Sequence, residues 1–417
     1  MTTFEPGDLV AGQYRIQGEA GSGGFAVAYE AVDEDTGETV AVKVPNYAGS
    51  SNDRDVIETY FLKEADALET IKAAGGHENV MDLLERTDEG DTPVLVVQFI
   101  DGYELDDAIE QAGPLNDPTS MLQGPDEVRQ IGIGLCEAMS FLHENDIVYR
   151  DLKPDNIMLT RAGDTARPVL IDFNTATGFD GTDAHDSGTT ILGPYKPREI
   201  AEASDAEDGQ GPWSDVYSIG KILLFLLKGT VPKKDGINPR HFGVDCPPYL
   251  AEIIERATQT DYRERYPNAT AMRYVLEAKD SSPPPQASLE ALNDGTSFTI
   301  HPGDTIGRDG GATTPTIKLD DADEHVSPIH VRFDTSSDEA VWRLEDQSLN
   351  GTYVQTQTGW RRILQPGGRD ILEARGGDPT DGNGSEPRSE HSLSDGDLIS
   401  FVDPSYGTTF EFTLSQT

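Results

Sequence analysis

Three polar side chains lie within the sequence RDLKPDN, at residues 150–156, which apolar segments flank on both sides. Asp151 supplies a carboxylate, Lys153 an ammonium group and Asn156 an amide oxygen. A carboxylate can accept the proton of a hydroxyl group, and an amide oxygen can bind a hard divalent cation. These residue types and their spacing therefore predict proton transfer beside a metal ion and a fixed positive charge.

A second carboxylate, Asp172, lies in the segment VLIDFNTATG (169–178), which we expect to be the next buried strand. One aspartate and one asparagine suffice for Mg²⁺, because this cation takes few protein ligands and completes its coordination with phosphate oxygens and water. A turn-capping role would explain Asp172 or Asn156 taken singly. In this order, and with the lysine and glutamate described next, they favour phosphoryl transfer.

Three alternating segments, YRIQGEA, FAVAYEAV and ETVAVKV, predict antiparallel strands that carry further polar groups. Lys43 lies near the end of the third strand, and the helix predicted over residues 56–73 places Glu64 on its apolar face. An acid on an apolar face needs a partner, so we expect Lys43 and Glu64 to pair inside a cleft. The loop GSGGFAVAY (21–29) could bring backbone N–H groups close to phosphate oxygens, although such a loop alone is more often a simple turn.

Two predicted helices flank the RDLKPDN loop and its following strand. One face of the first helix is marked by five apolar residues: Val128, Ile131, Leu135, Met139 and Leu142. The second, DVYSIGKILLFLL from Asp215, is apolar nearly all round, which predicts a helix buried in a large lobe.

Taken in order, these motifs resemble the catalytic domain of a eukaryotic-like (Hanks-type) serine/threonine protein kinase over residues 14 to about 275. The resemblance implies a bilobal α+β fold, with a small antiparallel β lobe and a larger helical lobe. It also implies ATP and Mg²⁺ as cofactors, with Mn²⁺ as an alternative metal, and protein substrates that include the kinase itself. The Lys-Pro pair of DLKPDN is similar to serine/threonine rather than tyrosine kinases.

The implied ATP site combines the glycine-rich loop, the lysine that follows it and a hinge segment: Gly21, Gly23, Gly24, Lys43, Val97, Gln98 and Ile100. By the resemblance, Val97 is the gatekeeper, and the backbones of Gln98 and Ile100 meet the adenine. Lys43 holds the α- and β-phosphates, and Glu64 positions Lys43.

The implied catalytic residues lie in and after the RDLKPDN loop. By the resemblance, Asp151 accepts or orients the substrate hydroxyl, and Lys153 steadies the transferred phosphoryl group. Asn156 and Asp172 bind the metal. Three other residues resemble supports of the large lobe, namely Asp215 beneath the catalytic loop and Glu199 paired with Arg265.

Several positions depart from the family pattern. Ala26 and Ala28 replace the third glycine and the adenine-packing valine, Tyr149 replaces a histidine, and YKPRE (195–199) replaces the usual Ala-Pro-Glu ending. Asn174 replaces a glycine; because asparagine enters the left-handed backbone region readily, we expect it to bias the following segment without removing the metal ligand. These departures favour a competing hypothesis, a pseudokinase adaptor without catalysis, whereas the complete catalytic set favours an active enzyme.

Arg150 resembles the arginine that meets a phosphorylated activation segment in many kinases. A phosphate on that segment adds negative charge and acceptor oxygens that a guanidinium can bind. The candidate phosphosites are Thr175, Thr177, Thr189 and Thr190, with Thr189 or Thr190 favoured.

Short alternating strands separated by Gly, Asp and Pro follow residue 296, and TIGR (305–308), SPIH (327–330) and NGTYV (350–354) lie at their ends. Each motif taken singly is more often only a turn. Their order, with the closing segments LSDGDLISF and TFEFTL, resembles a forkhead-associated (FHA) domain. This resemblance implies an all-β sandwich that binds phosphothreonine-containing proteins.

By the same resemblance, Arg308 and Ser327 bind the phosphate and Asn350 grips the peptide backbone, which suits a guanidinium, a hydroxyl and an amide. Gly307 and His330 look like structural residues of that family. The position after Ser327 is often arginine in the family but is proline here, which predicts the loss of one contact.

The clearest domain boundary in the sequence is the proline-rich segment KDSSPPPQAS at 279–288. A low-complexity stretch in the second domain predicts a flexible insertion at about 367–392. The predicted parts are a catalytic domain at 1–279 with lobes at about 10–100 and 101–279, a linker at 280–295, and the FHA domain at 296–417.

The composition is acidic, with 75 Asp and Glu residues against 32 Lys and Arg and a formal charge of -43 at pH 7. Such self-repulsion weakens a compact state at low salt, whereas at molar salt the Debye length falls to roughly 3 Å. Because the acids are spread along the whole chain, we interpret them as a halophile's surface, typical of a halophilic archaeon, rather than as a single acidic tail. No basic stripe is available for phosphates, which argues against nucleic-acid binding.

Cys136 and Cys246 are too few for a disulfide framework and are expected to be buried thiols in a reducing cytosol. The N-terminal sequence MTTFEPGD does not have the pattern of a signal peptide, and the apolar run ILLFLL (222–227) is too short to span a bilayer. We therefore expect a cytoplasmic protein without a membrane partner.

Overall fold

The computed structural model describes residues 4–112, 124–162, 165–176, 193–201, 210–308, 315–319, 325–335, 341–357, 359–382, 384–405 and 407–414. The chain forms two compact units, residues 1–265 and 266–417. The first unit has a β-rich lobe followed by a helical lobe, and the second is built mainly from two sheets. This architecture agrees with the predicted α+β and all-β fold classes.

The β-rich lobe is an antiparallel sheet with the strand order β1-β2-β3-β4-β6-β5. Its strands are β1 (Leu9–Val10), β2 (Tyr14–Ser22), β3 (Ala26–Asp33), β4 (Thr39–Pro45), β5 (Leu83–Glu89) and β6 (Thr92–Gln98). The three strands predicted from alternation are confirmed as β2, β3 and β4. Helix α1 (Arg54–Ala73) contacts β4 and β5 and buries Ile57, Phe61, Leu68 and Ile71 together with Glu64, as its periodicity predicted.

The helical lobe surrounds a small sheet with the strand order β7-β8-β9. Its elements are β7 (Tyr103–Glu104), α2 (Leu105–Ala112), α3 (Pro125–Glu144), β8 (Ile157–Ala162), β9 (Thr165–Leu170), α4 (Arg198–Ala201), α5 (Pro212–Lys228) and α6 (Pro248–Ala257). Helix α3 buries all five apolar residues predicted for its inner face. Helix α5 is buried around nearly its whole circumference, because α3 and α6 pack against it.

The second unit begins with α7 (Ala269–Ala278) and continues as two sheets with the orders β11-β10-β20-β19-β16-β17 and β13-β12-β14-β15-β18. The first half of its strands are β10 (Ala287–Ala291), β11 (Ser297–Ile300), β12 (Thr305–Arg308), β13 (Ile317–Leu319), β14 (Val331–Thr335) and β15 (Trp342–Asp346). The remaining elements are β16 (Thr352–Thr356), β17 (Gly359–Ile363), α8 (Pro366–Ala374), β18 (Glu390–Ser392), β19 (Asp397–Ser400) and β20 (Thr409–Leu414). Side chains from both sheets share one apolar core, in which the rings of Phe333 and Phe412 stack 6.4 Å apart.

Two predicted irregular segments contain regular structure. The expected linker at 280–295 includes β10, which lies between β11 and β20 and buries Ala287 and Leu289, so the second sheet starts earlier than composition suggested. The expected flexible insertion at about 367–392 includes most of α8 and all of β18. Gly368, near its start, is buried, as is Leu364 just before it. Composition did not reveal the strands of these segments, because β10 pairs with β20 and β18 pairs with β15, which are distant in sequence.

Among the residues that the structure describes, no helix has both the length and the apolar character needed to cross a membrane.

Lys221 is a charged residue with 0% exposed surface in helix α5. Its Nζ donates to the carbonyl oxygens of Lys234 at 2.6 Å and Pro232 at 3.4 Å, and it lies 3.8 Å from Oδ1 of Asp235. Burial lowers the pKa of Lys221 from 10.5 to about 8, although Asp235 opposes this shift. The folded protein therefore releases this proton at a lower pH than the unfolded chain does.

We expect the free energy of unfolding to rise between about pH 8 and pH 10.5, because the unfolded chain still binds the Lys221 proton in this range. The total gain is at most about 3 kcal/mol. Urea unfolding in concentrated salt, measured across this pH range, would detect the slope. Lys221→Met should lack it, and parallel profiles for the two proteins would contradict the assignment.

Candidate active site

Lys43 and Glu64 form a largely buried ion pair between strand β4 and helix α1. The side chains are 12% and 3% exposed. Burial raises the pKa of Glu64, with Lys43 opposing it, whereas the pKa of Lys43 is raised because Glu64 and Asp172 outweigh its burial. The backbone N–H of Phe173 also donates to Glu64, so the segment after β9 meets this pair.

The RDLKPDN loop is held from below by Asp215, a side chain of helix α5 with 0% exposed surface. Its Oδ2 accepts the backbone N–H of Tyr149 at 3.0 Å, and its Oδ1 accepts that of Arg150 at 2.9 Å. Nε2 of His143 lies 2.8 Å from Oδ2. These contacts fix the backbone at Arg150, whose φ of 66° lies in the left-handed region that non-glycine residues rarely enter.

Asp151, Lys153 and Asn156 lie side by side in this loop. Nδ2 of Asn156 donates to the backbone oxygen of Asp151 at 2.9 Å and to its Oδ2 at 3.2 Å. Nζ of Lys153 lies 3.6 Å from the same Oδ2. Because the amide nitrogen of Asn156 is engaged in these bonds, its amide oxygen is the atom that remains to bind a cation.

Asp172 follows β9 rather than lying within it, since that strand ends at Leu170. Oδ1 of Asp172 accepts the backbone N–H of Asn174, and Oδ2 accepts the Asn174 side-chain amide, both at 3.1 Å. Asn174 does not have the positive φ that its sequence position suggested. Its effect is therefore on the orientation of Asp172 and not on a left-handed turn.

These groups share one cleft of about 980 Å³ in the first unit. The predicted site residues in its lining are Gly21, Gly23, Gly24, Lys43, Glu64, Asp151, Lys153, Asn156, Asp172 and Thr175. Three predicted hinge residues, Val97, Gln98 and Ile100, are absent from the described lining. Val97 is buried in the sheet, and the N–H of Gln98 donates to Asp82, so an adenine contact by the hinge stays a prediction.

The glycine-rich loop is held by contacts that its glycines did not reveal. Nδ2 of Asn46 donates to the carbonyl of Gly23 at 2.7 Å. Phe25, at the tip, stacks on Tyr60 of helix α1 with ring centroids 4.4 Å apart. The loop is therefore coupled to the same helix that carries Glu64, and the alanine substitutions at 26 and 28 do not prevent the loop from lining the cleft.

The segment YKPRE is fixed to the helical lobe at both ends. Glu199 pairs with Arg265 at 2.5 Å, and Oγ of Ser218 donates to the carbonyl of Tyr195 at 2.9 Å. Between them, Nζ of Lys196 lies 2.6 Å from Oδ1 of Asp151. The departure of YKPRE from the usual Ala-Pro-Glu ending was apparent in the sequence, but the importance of Lys196 was not.

Of the candidate phosphosites, Thr177, Thr189 and Thr190 lie outside the described residues. Thr175 is described, and its Oγ1 donates to the carbonyl of Tyr149 at 3.4 Å. This contact joins the start of the activation segment to the catalytic loop.

The donor set of the cleft fits a nucleotide with a hard divalent cation. The amide oxygen of Asn156 and the carboxylate of Asp172 are hard oxygen ligands of the kind that Mg²⁺ prefers. Gly21 and Gly24 are exposed, and a Cβ on Gly21 would meet no atom within 4 Å, so open space lies above the loop backbone. Phosphate oxygens could approach the loop there, while Lys43 supplies a positive charge.

In the second unit, the three predicted phosphopeptide residues lie on adjoining segments. The backbone N–H of Arg308 donates to the carbonyl of Ser327 at 3.0 Å. Oγ of Ser327 accepts the N–H of Leu349 at 3.2 Å, and Nδ2 of Asn350 donates to the carbonyl of His325 at 3.3 Å. The structure therefore brings the segments that carry the guanidinium, the hydroxyl and the amide into contact with one another.

Gly307 and His330 hold these segments in register. A Cβ on Gly307 would lie 1.8 Å from the carbonyl oxygen of Pro328, so only glycine permits the close approach of the Ser327 segment. His330 has 0% exposed surface, and its Nδ1 accepts the N–H of Ser327 at 3.1 Å. The close approach to Gly307 is made by the backbone carbonyl of Pro328, and the loss of one ligand contact at this position stays a prediction.

Asp346 fixes the loop that carries Asn350 and is a residue that motif reading missed. Its Oδ1 accepts the hydroxyls of Ser348 at 2.8 Å and Thr352 at 2.7 Å, and its Oδ2 accepts the N–H of Gln365 at 3.0 Å. Burial raises the pKa of Asp346 to about 6, although these donors oppose the shift. The turn residues that follow a strand-ending aspartate were the available sequence signal.

Comparison with known proteins gives the family and the fold of both units. Residues 14–277 match the protein kinase domain family, and residues 305–369 match the FHA domain family. The solved structure titled "PpkA-294 apo form" superposes with a TM-score of 0.52 at 20% identity, covering 66% of this chain and 99% of that chain. These matches confirm the predicted fold class of both units.

Curated relatives include serine/threonine-protein kinase C of Synechocystis sp., which is 28% identical over 290 residues covering 67% of this chain and 52% of the relative. Serine/threonine-protein kinase PrkC of Bacillus subtilis is 27% identical over 282 residues, covering 64% of this chain and 40% of the relative. The chain spans about half the length of the first of these relatives and less than half of the second. These relatives are bacterial, and the halophilic archaeal origin suggested by the acidic composition stays a prediction.

Lys43→Met should destabilise the protein by about 3 kcal/mol, because it leaves the Glu64 carboxylate buried without a cation. The double variant Lys43→Met with Glu64→Gln should recover most of this loss, since it removes the unpaired charge. Urea unfolding of the full chain measures both changes, with Lys233→Met as the exposed lysine control. A single variant as stable as the wild type, or a double variant no better than the single, would argue against a buried ion pair.

Proposed function

Because the chain belongs to the protein kinase family and carries an FHA domain, we propose that it is an ATP-dependent serine/threonine protein kinase. It transfers the γ-phosphate of ATP to serine or threonine hydroxyls of proteins, including its own. Its FHA domain binds phosphothreonine-containing proteins. The observation that carries this proposal is the convergence of Lys43, Glu64, Asp151, Asn156 and Asp172 in one cleft.

Each proposed role follows from the contacts of the residue. Asp151, whose side chain is 13% exposed, accepts or orients the hydroxyl proton of the protein substrate. Lys153 is close to that carboxylate and more exposed, so it can place its charge beside the transferred phosphoryl group. Lys43, held by Glu64, orients the α- and β-phosphates. The two lysines therefore have separate proposed roles, Lys43 toward the α- and β-phosphates and Lys153 toward the transferred group.

Asn156 and Asp172 would hold Mg²⁺, or Mn²⁺ in its place, through the oxygens described above. When bound with ATP, such a cation neutralises charge that develops on the phosphate oxygens. Asn174 keeps both carboxylate oxygens of Asp172 hydrogen-bonded, and each oxygen retains a lone pair for a cation. This arrangement supports an active metal site over the pseudokinase hypothesis.

In the second unit, Arg308 and Ser327 would bind the phosphate of phosphothreonine, and Asn350 would bind the backbone of the peptide. The adjoining positions of their segments support this proposal. We further propose a circuit in which the kinase phosphorylates a threonine in itself or in a partner, and the FHA domain captures that product. The proposed setting is the cytoplasm, and the proposed partners are proteins rather than nucleic acids or membranes.

In concentrated salt with Mg²⁺ and radiolabelled ATP, we expect the full chain to label itself or a general protein substrate. Asp172→Ala and Asp151→Asn should each lower the rate by about 100-fold or more, because one removes the proposed metal ligand and the other the proposed base. Asp245→Ala, at an exposed aspartate of the same lobe, is the matched control and should retain the rate. Equal labelling by the wild type and Asp172→Ala would instead support the pseudokinase hypothesis.

Arg308→Ala should weaken binding of a phosphothreonine peptide by about 10- to 100-fold, because it removes charge-assisted hydrogen bonds to the phosphate. Fluorescence anisotropy would measure this with autophosphorylation-site peptides identified by mass spectrometry. Arg375→Ala, at an exposed arginine of the same unit, is the control for general charge. The phosphopeptide role fails if the unphosphorylated peptide binds equally or if Arg308→Ala has no effect.

A further inference from the structure

The catalytic carboxylate has a partner that the proposed mechanism does not use. Nζ of Lys196 lies 2.6 Å from Oδ1 of Asp151, which is shorter than the 3.6 Å between Lys153 and Oδ2. Lys196 is only 18% exposed on its side chain, so water screens this contact less than it would an ordinary surface pair. Among the residues that the structure describes, the cation nearest to the proposed base therefore lies outside the RDLKPDN loop.

The two carboxylate oxygens of Asp151 have different environments. Oδ2 accepts a bond from Asn156 and lies near Lys153, whereas Oδ1 contacts Lys196. An ammonium group on Oδ1 and an amide on Oδ2 together restrict rotation of the carboxylate about its Cβ–Cγ bond. Each oxygen has two lone pairs, so a substrate hydroxyl can still be accepted.

The backbone around Lys196 limits how far its amine can move. On one side, the carbonyl of Tyr195 accepts the Ser218 hydroxyl, and on the other side Pro197 is buried. Three residues after Lys196, the ion pair between Glu199 and Arg265 fixes the end of the segment. Lys196 therefore reaches the cleft from an anchored stretch of chain, and the contact does not depend on a free loop.

We propose that Lys196 is a positioning residue for phosphoryl transfer, which holds the Asp151 carboxylate in the orientation that accepts the substrate hydroxyl. This inference rests on the proposed kinase function. It assigns a role to the YKPRE segment of the large lobe, because the lysine of this segment forms an ion pair with the proposed base, Asp151. Removal of the amine leaves Oδ1 without its cation and frees the carboxylate to rotate.

The kinetic test uses the full chain and compares Lys196→Met with Lys196→Arg. Lys196→Met should lower kcat by about 10- to 100-fold, because misplacement of a catalytic group by about 1 Å has effects of this size. The KM for ATP should change little, since Lys196 contacts Asp151 rather than the residues proposed for the α- and β-phosphates. Lys196→Arg should recover part of kcat, because it keeps a cation in reach, and Lys233→Met should match the wild type.

An unchanged kcat in Lys196→Met would overturn the inference while leaving the kinase proposal intact. A higher kcat would also overturn it, because the lysine would then block the base rather than position it. A wild-type protein without transfer activity would instead refute the proposed function and, with it, the positioning role of Lys196.

The contact itself can be tested without activity by acetylation of lysines followed by mass spectrometry. Lys196 should react several-fold faster in Asp151→Asn than in the wild type, since the contact with Asp151 partly covers its amine. Lys233 should react equally in both proteins. Equal rates at Lys196 would show that the pair does not form in solution and would overturn the inference.

Discussion

The carboxylate of Asp215 accepts two consecutive backbone N–H groups, those of Tyr149 and Arg150, from within helix α5. Tyr149 and Arg150 lie outside any helix or strand, so the hydrogen-bond pattern of regular structure does not supply backbone acceptors for their N–H groups. A buried N–H without an acceptor is unfavourable. The left-handed φ of Arg150 costs on the order of 1–3 kcal/mol, which the contacts to Asp215 must outweigh. Because Asp151 follows directly, the position of the proposed base depends on this one buried side chain.

The second unit uses the same physical arrangement. Asp346 is buried at the end of a strand, and its oxygens accept donors from Ser348, Thr352 and Gln365, which shapes the loop that presents Asn350. In both units, a functional loop without regular structure is ordered by an aspartate that the neighbouring element supplies. A loop formed in this way can place several polar side chains at fixed positions while its outer surface remains open to a ligand.

The parts of the structure that local patterns determine could be predicted from the sequence. Alternation gave β2, β3 and β4, helical periodicity gave the buried face of α1, and motif spacing gave the residues of the cleft. The contacts that depend on tertiary structure could not be predicted. Asn46 reaches the glycine-rich loop across 23 residues and Lys196 reaches Asp151 across 45, and neither pair shares a local pattern. The strand β10 was missed for a related reason, because one of its two partners, β20, lies near the other end of the second unit.

The proposed nucleotide site lies in a chain with a formal charge of -43, which repels phosphate groups at long range. Lys43, Lys153 and Lys196 line it, but so do five carboxylates, those of Glu64, Glu104, Asp151, Asp155 and Asp172. The lysines therefore act on a phosphate group at short range, within a cleft whose lining is itself acidic. Salt acts unequally on these two contributions, because it screens exposed charges that are far apart much more than partly buried pairs at contact distance. Rising ionic strength therefore weakens the long-range repulsion of phosphate groups while the short contacts around Asp151 and Glu64 persist. An acidic surface and a phosphate-binding cleft are consequently compatible in one protein, most readily where the salt concentration is high.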